Sequence, residues 1–199
     1  MNLIHHLPVL LIILPLSASL LSPILSKLWK QLGRILVIAS LAASFLCAIG
    51  LLCQVLSASS GQIHYYMGNW EPPLGIEFVI DPLNALLVLF ITFIALCTSV
   101  YCGNFLQNKR WIQTGGFFTL IGLLTVGLCG MTLTGDVFNL YVFLEVASIS
   151  CYGLVALGGG KSILAAFRYL LVGTVGASFY LIAVGILYSM TGTLNMADM

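Results

Sequence analysis

Glu145 is the residue whose type and position most clearly indicate chemistry, because it is a carboxylate in the middle of a long apolar stretch. It lies about 14 Å from Asp136 and roughly 18 Å from Leu157 along the predicted helix, which places it near the centre of a bilayer. An acidic side chain at that depth costs on the order of 2.5–3.5 kcal/mol. We therefore expect Glu145 to carry a proton or another ion.

A polar stripe runs along the helix that carries Glu145. Tyr141, Ser148 and Tyr152 occupy positions i−4, i+3 and i+7 relative to it, and residues at these spacings share one helix face. Their hydroxyl groups can hydrogen-bond a carboxylate or order a short chain of water molecules. Burial favours the protonated form of a carboxyl group and a neighbouring cation favours the charged form. The stripe predicts a proton relay, and the alternative is a protonated glutamic acid that hydrogen-bonds a neighbouring helix.

The sequence places no cation close to Glu145. Arg168, on the next predicted helix, lies about 6 Å inside the end of that helix, against roughly 18 Å for Glu145. The difference of about 12 Å is too large for a direct ion pair. Arg168 and Lys161 are therefore weak candidates on the basic side. Asp136 and Asn139 are weak candidates for the pathway entrance, since such residues more often cap a helix.

The composition places the chain in a membrane. Of its 199 residues, 60% are hydrophobic and 7% are charged, and the mean hydropathy is +1.11. A soluble domain has about 25% charged residues, so this surface cannot face water on all sides. A helix needs about 20 apolar residues to cross the hydrocarbon. The sequence predicts one membrane domain, residues 1–199, with an outer loop at 57–81 and six helices at about 3–25, 35–56, 82–102, 113–134, 136–157 and 164–190.

Local signals support these bounds. The stretch 3–25 has no basic residue before it, is too long for the apolar part of a signal peptide and lacks a small-residue cleavage site, so we expect a retained helix. The Asp-Pro dipeptide at 81–82 is typical of a helix start. Three glycines at 158–160 end the fifth helix. Gly173 and Ala177 form a small-residue step that lets helix six approach a neighbour closely.

The basic residues predict the orientation of the chain. All seven lie on one side of the membrane, whereas the connections on the other side carry acidic residues and no Lys or Arg. By the positive-inside rule, the basic side faces the cytoplasm and both termini face outward. The sequence thus predicts an all-α polytopic protein of the cell (inner) membrane. The basic residues are Lys27, Lys30, Arg34, Lys109, Arg110, Lys161 and Arg168, and the acidic residues opposite are Glu71, Glu77, Asp81, Asp136 and Asp198.

Other residues do not indicate a catalytic, cofactor or metal site, and no catalytic chemistry of the chain's own is expected. The six cysteines contain no C-x-x-C pair, which argues against zinc and iron–sulfur centres. The Gly-Lys-Ser at 160–162 mimics the end of a nucleotide-binding loop, but Val155 stands where the first glycine should be. His5, His6 and His64 lie on the predicted outer side, where interfacial histidines are a better explanation than a metal site.

Three stretches of the sequence resemble the antiporter-like subunits shared by respiratory complex I, membrane-bound hydrogenases and Mrp-type cation/proton antiporters. The similarity spans most of the chain, is strongest over 75–199 and is closest to the D subunit of the Mrp type. The motifs are more specific to the superfamily than to one branch. They read Gly-Asp-Val-Phe-Asn-Leu-Tyr-Val-Phe-Leu-Glu-Val-Ala-Ser-Ile-Ser-Cys-Tyr at 135–152, Gly-Ile-Glu-Phe-Val-Ile-Asp-Pro-Leu-Asn at 75–84 and Thr-Gly-Thr-Leu-Asn-Met-Ala-Asp at 191–198.

The resemblance implies that Glu145 matches the helix-five glutamate of the family, which forms part of a proton half-channel and is coupled to a lysine on a broken seventh helix. Family members have more helices than this chain, in two inverted units that begin at helix four. Helices four to six here resemble the start of one such unit. The lysine would then lie outside this sequence, and a divided gene, a shortened gene or a partial sequence would each look like this.

Three functions stay open on these grounds. The first is a proton-translocating subunit, or the N-terminal part of one, in a multi-subunit Na⁺(K⁺)/H⁺ antiporter. The second is the equivalent subunit of a NADH:quinone oxidoreductase or a membrane-bound hydrogenase, where other subunits perform the redox chemistry. The third is a fragment that only scaffolds an assembly. The expected partners are other membrane subunits, protons, Na⁺ or K⁺ and the lipid bilayer, without a cofactor or a nucleic acid.

Overall fold

Six long helices dominate the structure, a computed structural model that describes residues 6–29, 31–58, 61–70, 72, 75–105 and 111–199. Each helix is long and apolar enough to cross a membrane, which confirms the predicted number of spans. Their bounds differ from the predicted ones by a few residues. The helices are α1 (Leu7–Leu28), α2 (Leu32–Ser57), α3 (Pro82–Phe105), α4 (Trp111–Leu133), α5 (Val137–Ala156) and α6 (Lys161–Thr191). His5, Lys30, Glu71, Lys109 and Arg110 lie outside the described residues.

The connection between α2 and α3 contains a β-hairpin, which the all-α prediction missed. β1 (Ile63–Tyr66) pairs antiparallel with β2 (Glu77–Ile80). Each strand has four residues, and so short a run of apolar and aromatic residues does not indicate a strand without its partner. The predicted outer loop is therefore an ordered element over these eight paired positions rather than an irregular connection.

The two ends of the helix bundle differ in charge. Lys27 lies in the last turn of α1, and Lys161 is the first residue of α6. Arg34 lies near the start of α2, where it donates a hydrogen bond to the Gly103 carbonyl at 2.7 Å. We call this the basic end. The opposite end, which we call the hairpin end, joins the hairpin to the α4–α5 connection and to the segment after α6.

Helices α1 to α4 form the packed part of the bundle, and α5 and α6 follow in series. α1 packs against α2 and α4, α3 packs against the same two helices, α5 packs against α4, and α6 packs against α5. Buried apolar side chains form one cluster around Leu51, Phe78 and Leu133 and a second around Leu41 and Phe118. Most side chains of α6 are consequently exposed.

Ser44 repairs a gap that Pro15 leaves in α1. Proline has no N–H, so the carbonyl of Leu11, four residues earlier, lacks its helical donor. The Ser44 hydroxyl on α2 donates to this carbonyl at 3.2 Å, and both residues are fully buried. The hydrocarbon core of a membrane contains no water that could supply such a donor. A proline can therefore stand inside this membrane helix because a neighbouring helix satisfies the freed group.

Small residues bring α1, α2 and α4 into backbone contact. A Cβ on Gly122 would overlap the Ser19 hydroxyl, and a Cβ on Gly33 would lie 2.5 Å from the Ser22 carbonyl oxygen. Close van der Waals packing of this kind holds membrane helices together, since lipid tails are as apolar as the side chains they would replace. Helices α1, α2 and α4 thus form a tightly packed group, and α5 packs on it through α4.

We predict that Ser44→Ala destabilises the folded chain by about 1–3 kcal/mol, because the buried Leu11 carbonyl loses its donor. Ser40→Ala is the matched control. The Ser40 hydroxyl donates to the Val37 carbonyl within its own helix, so its loss should change the free energy of unfolding by less than about 0.5 kcal/mol. Equilibrium unfolding in mixed micelles, followed by circular dichroism, measures both. Equal effects of the two substitutions would contradict the repair.

Candidate functional site

Both ends of helix α5 are defined by local structure. Asp136 caps its start, since the carboxylate accepts a hydrogen bond from the Asn139 backbone N–H at 2.6 Å. The buried Asn139 side chain donates to the Thr134 hydroxyl at 3.0 Å. After α5 the chain turns at Gly159, whose φ of 72° disfavours a residue with a Cβ. The interpretation of Asp136 as a helix cap is confirmed, as is the ending of helix five at the glycines.

One face of α5 packs tightly against α4. The Phe143 ring fills the space beside Gly130, where a Cβ would overlap it. A Cβ on Gly127 would lie 2.7 Å from the Ala147 backbone nitrogen. Phe143 also contacts Phe78 of the hairpin, with ring centroids 6.4 Å apart. This packing sets the rotation of α5 about its own axis.

Glu145 lies on the opposite face of α5. It stands midway between Phe143 and Ala147 in the sequence, hence about 200° around the helix from each. Its side chain is partly buried. Among the residues that the structure describes, none donates a hydrogen bond to the Glu145 carboxylate or forms an ion pair with it. The carboxylate is therefore set on the face of α5 that turns towards α6.

Two tyrosine pairs join α5 to α6 on this face. The rings of Tyr141 and Tyr180 stack, with centroids 6.0 Å apart and 12° between their planes. The rings of Tyr152 and Tyr169 meet edge to face, with centroids 4.7 Å apart and 83° between their planes. Tyr141 and Tyr152 belong to the predicted polar stripe. The structure thus places Glu145 between the two pairs.

The register of the pairs shows which residues of α6 stand opposite the stripe. Gly173 and Gly176 lie between Tyr169 and Tyr180 on α6, just as Glu145 and Ser148 lie between Tyr141 and Tyr152 on α5. A Cβ on Gly173 would overlap the Tyr152 hydroxyl and lie 2.8 Å from its Cζ. The close approach predicted at Gly173 is therefore confirmed. Helix α6 presents small residues to the stretch of α5 that bears the carboxylate.

Arg168 and Lys161 stay away from Glu145, and both side chains are exposed. Helix α6 begins at Lys161, earlier than predicted. Arg168 nevertheless lies beyond the Tyr152–Tyr169 pair, on the side of the pair away from Glu145. The structure therefore does not bring the two weak basic candidates to the carboxylate.

A buried carboxylate at the hairpin end was missed by the sequence analysis. Glu77, on β2, is only 5% exposed. One of its oxygens pairs with Nδ1 of His64 on β1. The other accepts a hydrogen bond from the Asn195 side chain at 2.8 Å. A buried carboxylate is costly unless its oxygens are paired, so Glu77 ties the hairpin to the segment after α6.

Backbone hydrogen bonds extend this tie to the start of α5. The Gly135 N–H donates to the Glu77 carbonyl at 2.9 Å, and the Val137 N–H donates to the Leu194 carbonyl at 2.9 Å. The Met196 N–H returns to the Gly135 carbonyl at 2.8 Å. These contacts set the relative height of α5 and α6 and hence the register of the tyrosine pairs. We call this assembly the hairpin platform, which comprises β1, β2 and residues 134–137 and 193–196.

The two described histidines take part in hydrogen bonds at the hairpin end. His64 pairs with Glu77 as above, and Nδ1 of His6 lies 2.9 Å from the Tyr65 hydroxyl. Within the described ranges, no group of His, Cys, Asp and Glu side chains could hold a metal ion. The histidines therefore link α1 and the two strands.

The two helices of the site lie in a recognisable family segment. Residues 134–199 match the family described as NADH:quinone oxidoreductase/Mrp antiporter, transmembrane. The N subunit of the NADH-quinone oxidoreductase of Desulforudis audaxviator is 44% identical over 194 residues, which are 98% of this chain and 38% of that protein. This chain is therefore similar to antiporter-like subunits over nearly its whole length. The resemblance stated from the sequence is confirmed.

Both branches of the antiporter-like subunit family contain similar proteins. The D subunit of the Na⁺/H⁺ antiporter of Bacillus subtilis is 35% identical over 191 residues, which are 94% of this chain and 38% of that protein. One chain of the solved membrane-bound sulfane sulfur reductase, an archaeal respiratory membrane complex, matches with a TM-score of 0.87 and 34% identity. The match covers 96% of this chain and 38% of the matched chain. This chain thus spans 38% of the length of these relatives.

The residues around the site that sequence analysis missed lie on α6 and on the hairpin platform. Tyr169 and Tyr180 repeat the spacing of Tyr141 and Tyr152. Equal spacings on two consecutive antiparallel helices are the signal that could have revealed the pairs. The signal for Glu77 is its place as the single charge in the apolar run Ile-Glu-Phe-Val-Ile.

We predict that Asn195→Asp destabilises the fold by on the order of 2 kcal/mol near neutral pH, because it removes the donor to Glu77 and sets a second carboxylate beside it. The new side chain has the same shape and keeps the acceptor for the Ala197 N–H. Asp198→Asn, on an exposed side chain, is the control and should have little effect. Thermal unfolding in detergent measures both, and an unchanged midpoint for Asn195→Asp would contradict the role of Glu77.

Proposed function

We propose that this chain is the proton-translocating part of a multi-subunit membrane complex and that Glu145 is its intramembrane proton carrier. The observation that carries the proposal is the position of Glu145, a partly buried carboxylate inside a membrane helix on the face that turns to α6. The cost of a charge at that depth makes a purely structural role a poor account. Proton carriage turns the cost into a function, because the carboxyl group can be neutral while it holds the proton.

The polar stripe supplies the rest of the proposed relay. Tyr141 and Ser148 lie one helical turn from Glu145 on either side, and Tyr152 lies two turns away. Hydroxyl groups both donate and accept hydrogen bonds, so they can pass a proton to or from a carboxylate directly or through water. Asp136 is the proposed entrance, although its carboxylate also caps α5.

The process coupled to proton movement has two candidates. The first is exchange against Na⁺ or K⁺, as the name of the Bacillus subtilis relative states for that protein. The second is a redox reaction on other subunits, and the 44% identity to a quinone oxidoreductase subunit, against 35% to the antiporter subunit, favours it. The resemblance to the family suggests that a lysine outside this sequence pairs with Glu145 in either case.

Glu145→Gln should abolish proton flux through the native complex while the complex still assembles, because glutamine keeps the shape of the side chain but cannot release a proton. The complex would be isolated through this chain from its own membranes, placed in liposomes and followed with a pH-sensitive dye. Asp198→Asn, which also removes a carboxylate, should leave the flux unchanged. Normal flux in Glu145→Gln would refute the carrier and would favour a scaffolding role.

The same liposomes separate the two coupled processes. Proton flux that starts when a Na⁺ or K⁺ gradient is imposed, with no electron donor present, supports cation exchange. Flux that starts only when an electron donor and an acceptor are supplied supports the redox branch.

The topology is proposed to follow the charge bias, with the basic end in the cytoplasm and the hairpin end outside the cell (inner) membrane. In a cysteine-free background, Asp198→Cys should then react with a membrane-impermeant maleimide added to intact cells. Lys161→Cys should react only after the membrane is opened. Both native side chains are exposed, so accessibility within the fold does not differ between them, and the reverse labelling pattern would overturn the orientation.

A further inference from the structure

We propose that Gly173 and Tyr169 of α6 are positioning residues that hold the Tyr152 hydroxyl within reach of Glu145. This inference rests on the proposed carrier function of Glu145. Neither α6 residue belongs to the polar stripe, and neither forms a hydrogen bond with the carboxylate. Their effect on the relay would therefore be indirect, through the place and orientation of one phenol group.

The proposed relay must bridge a long distance along α5. The Cα atoms of Glu145 and Tyr152 are about 10.5 Å apart along α5, which is too far for a hydrogen bond. A helical side chain, however, leans towards the N-terminus of its helix. In α5 this direction leads from Tyr152 back towards Ser148 and Glu145.

The Tyr152 hydroxyl lies away from its own backbone, at the surface of α6. It lies against the backbone of Gly173, where a Cβ would overlap it. Gly173 lies on the stretch of α6 between the two tyrosine pairs, which faces the stretch of α5 that bears Glu145. The hydroxyl is therefore displaced from its own Cα towards Glu145, which shortens the gap of about 10.5 Å between the two Cα atoms. The Ser148 hydroxyl, which lies between the two residues on the same helix face, or one water molecule can bridge the remaining gap.

Packing, and not a hydrogen bond from any described residue, holds the Tyr152 phenol in place. The Tyr152 ring is 7% exposed and meets Tyr169 edge to face at 4.7 Å. Within the described part of the chain, the Tyr152 hydroxyl has no hydrogen-bond partner, whereas the Tyr180 hydroxyl donates to the Val137 carbonyl at 3.1 Å. Packing thus fixes the ring of Tyr152 and leaves its hydroxyl group available for proton transfer.

Gly173 is the specific requirement. A methyl group at this position would occupy the place of the Tyr152 hydroxyl and push the phenol out of line. Gly185, on the same helix, has open space where its Cβ would be. The two glycines therefore form a matched pair, since the same substitution tests a clash at one position and only helix propensity at the other.

The test is a double-substitution cycle on proton flux through the native complex in liposomes. Tyr152→Phe keeps the ring but removes the hydroxyl, and Gly173→Ala displaces the hydroxyl. Each should lower the flux about tenfold or more, since positioned proton-transfer groups contribute on the order of 10²–10⁴-fold. The double variant should be no slower than either single variant, because both changes remove one function. Gly185→Ala should retain normal flux.

Three outcomes overturn the inference. They are normal flux in Tyr152→Phe, normal flux in Gly173→Ala, and a further loss when Gly173→Ala is added to Tyr152→Phe, which would indicate general distortion of α6. If Gly173→Ala does not assemble, variants of Tyr169 test the inference instead. Tyr169→Phe keeps the ring and should retain flux, whereas Tyr169→Leu removes the ring and should lose flux. Normal flux in Glu145→Gln would instead refute the carrier itself, so the two failures are distinguishable.

Discussion

Hydrocarbon offers no hydrogen-bond partner, and this constraint organises the whole chain. It explains why the spans are helices, whose backbone groups are satisfied internally, and why the hairpin lies at the end of the bundle. It also explains the contact between Ser44 and Leu11, where one helix supplies the donor that a proline removes from another. Glu145 is the exception that the constraint makes conspicuous. Every other described acidic residue lies at the hairpin end.

Helix α5 has two faces with opposite physical characters, and the proposed relay depends on the difference. Towards α4, Gly127 and Gly130 permit backbone and ring contact that leaves no free space. Towards α6, the interface is formed by two aromatic contacts separated by small residues. A carrier needs both conditions. The tight face keeps the carboxylate from rotating into the bundle, and the open face leaves room for protons, water or a partner group to reach it.

The spans, the place of Glu145 near the middle of its helix and the cap of that helix could be predicted from the sequence, because each depends on residues close together in the chain. Asp136 at the N-cap position already indicates where α5 starts, and the glycines after α5 indicate where it ends. The hairpin, the Glu77 contacts and the tyrosine pairs could not be predicted in this way. Glu77 meets Asn195 across most of the chain, and Tyr152 meets Tyr169 only if α5 and α6 adopt one particular register.

Helix α6 is longer than a membrane is thick. Its 31 residues extend about 46 Å, whereas the hydrocarbon core of a bilayer measures roughly 30 Å. It must therefore lean, or raise its last turns into the headgroup layer. Those last turns lead directly into the segment that is bonded to Glu77, so the hairpin platform resists any change of tilt. A change in bilayer thickness therefore strains the packing of α6 against α5. Through this packing, the lipid composition of the host membrane influences the geometry around Glu145.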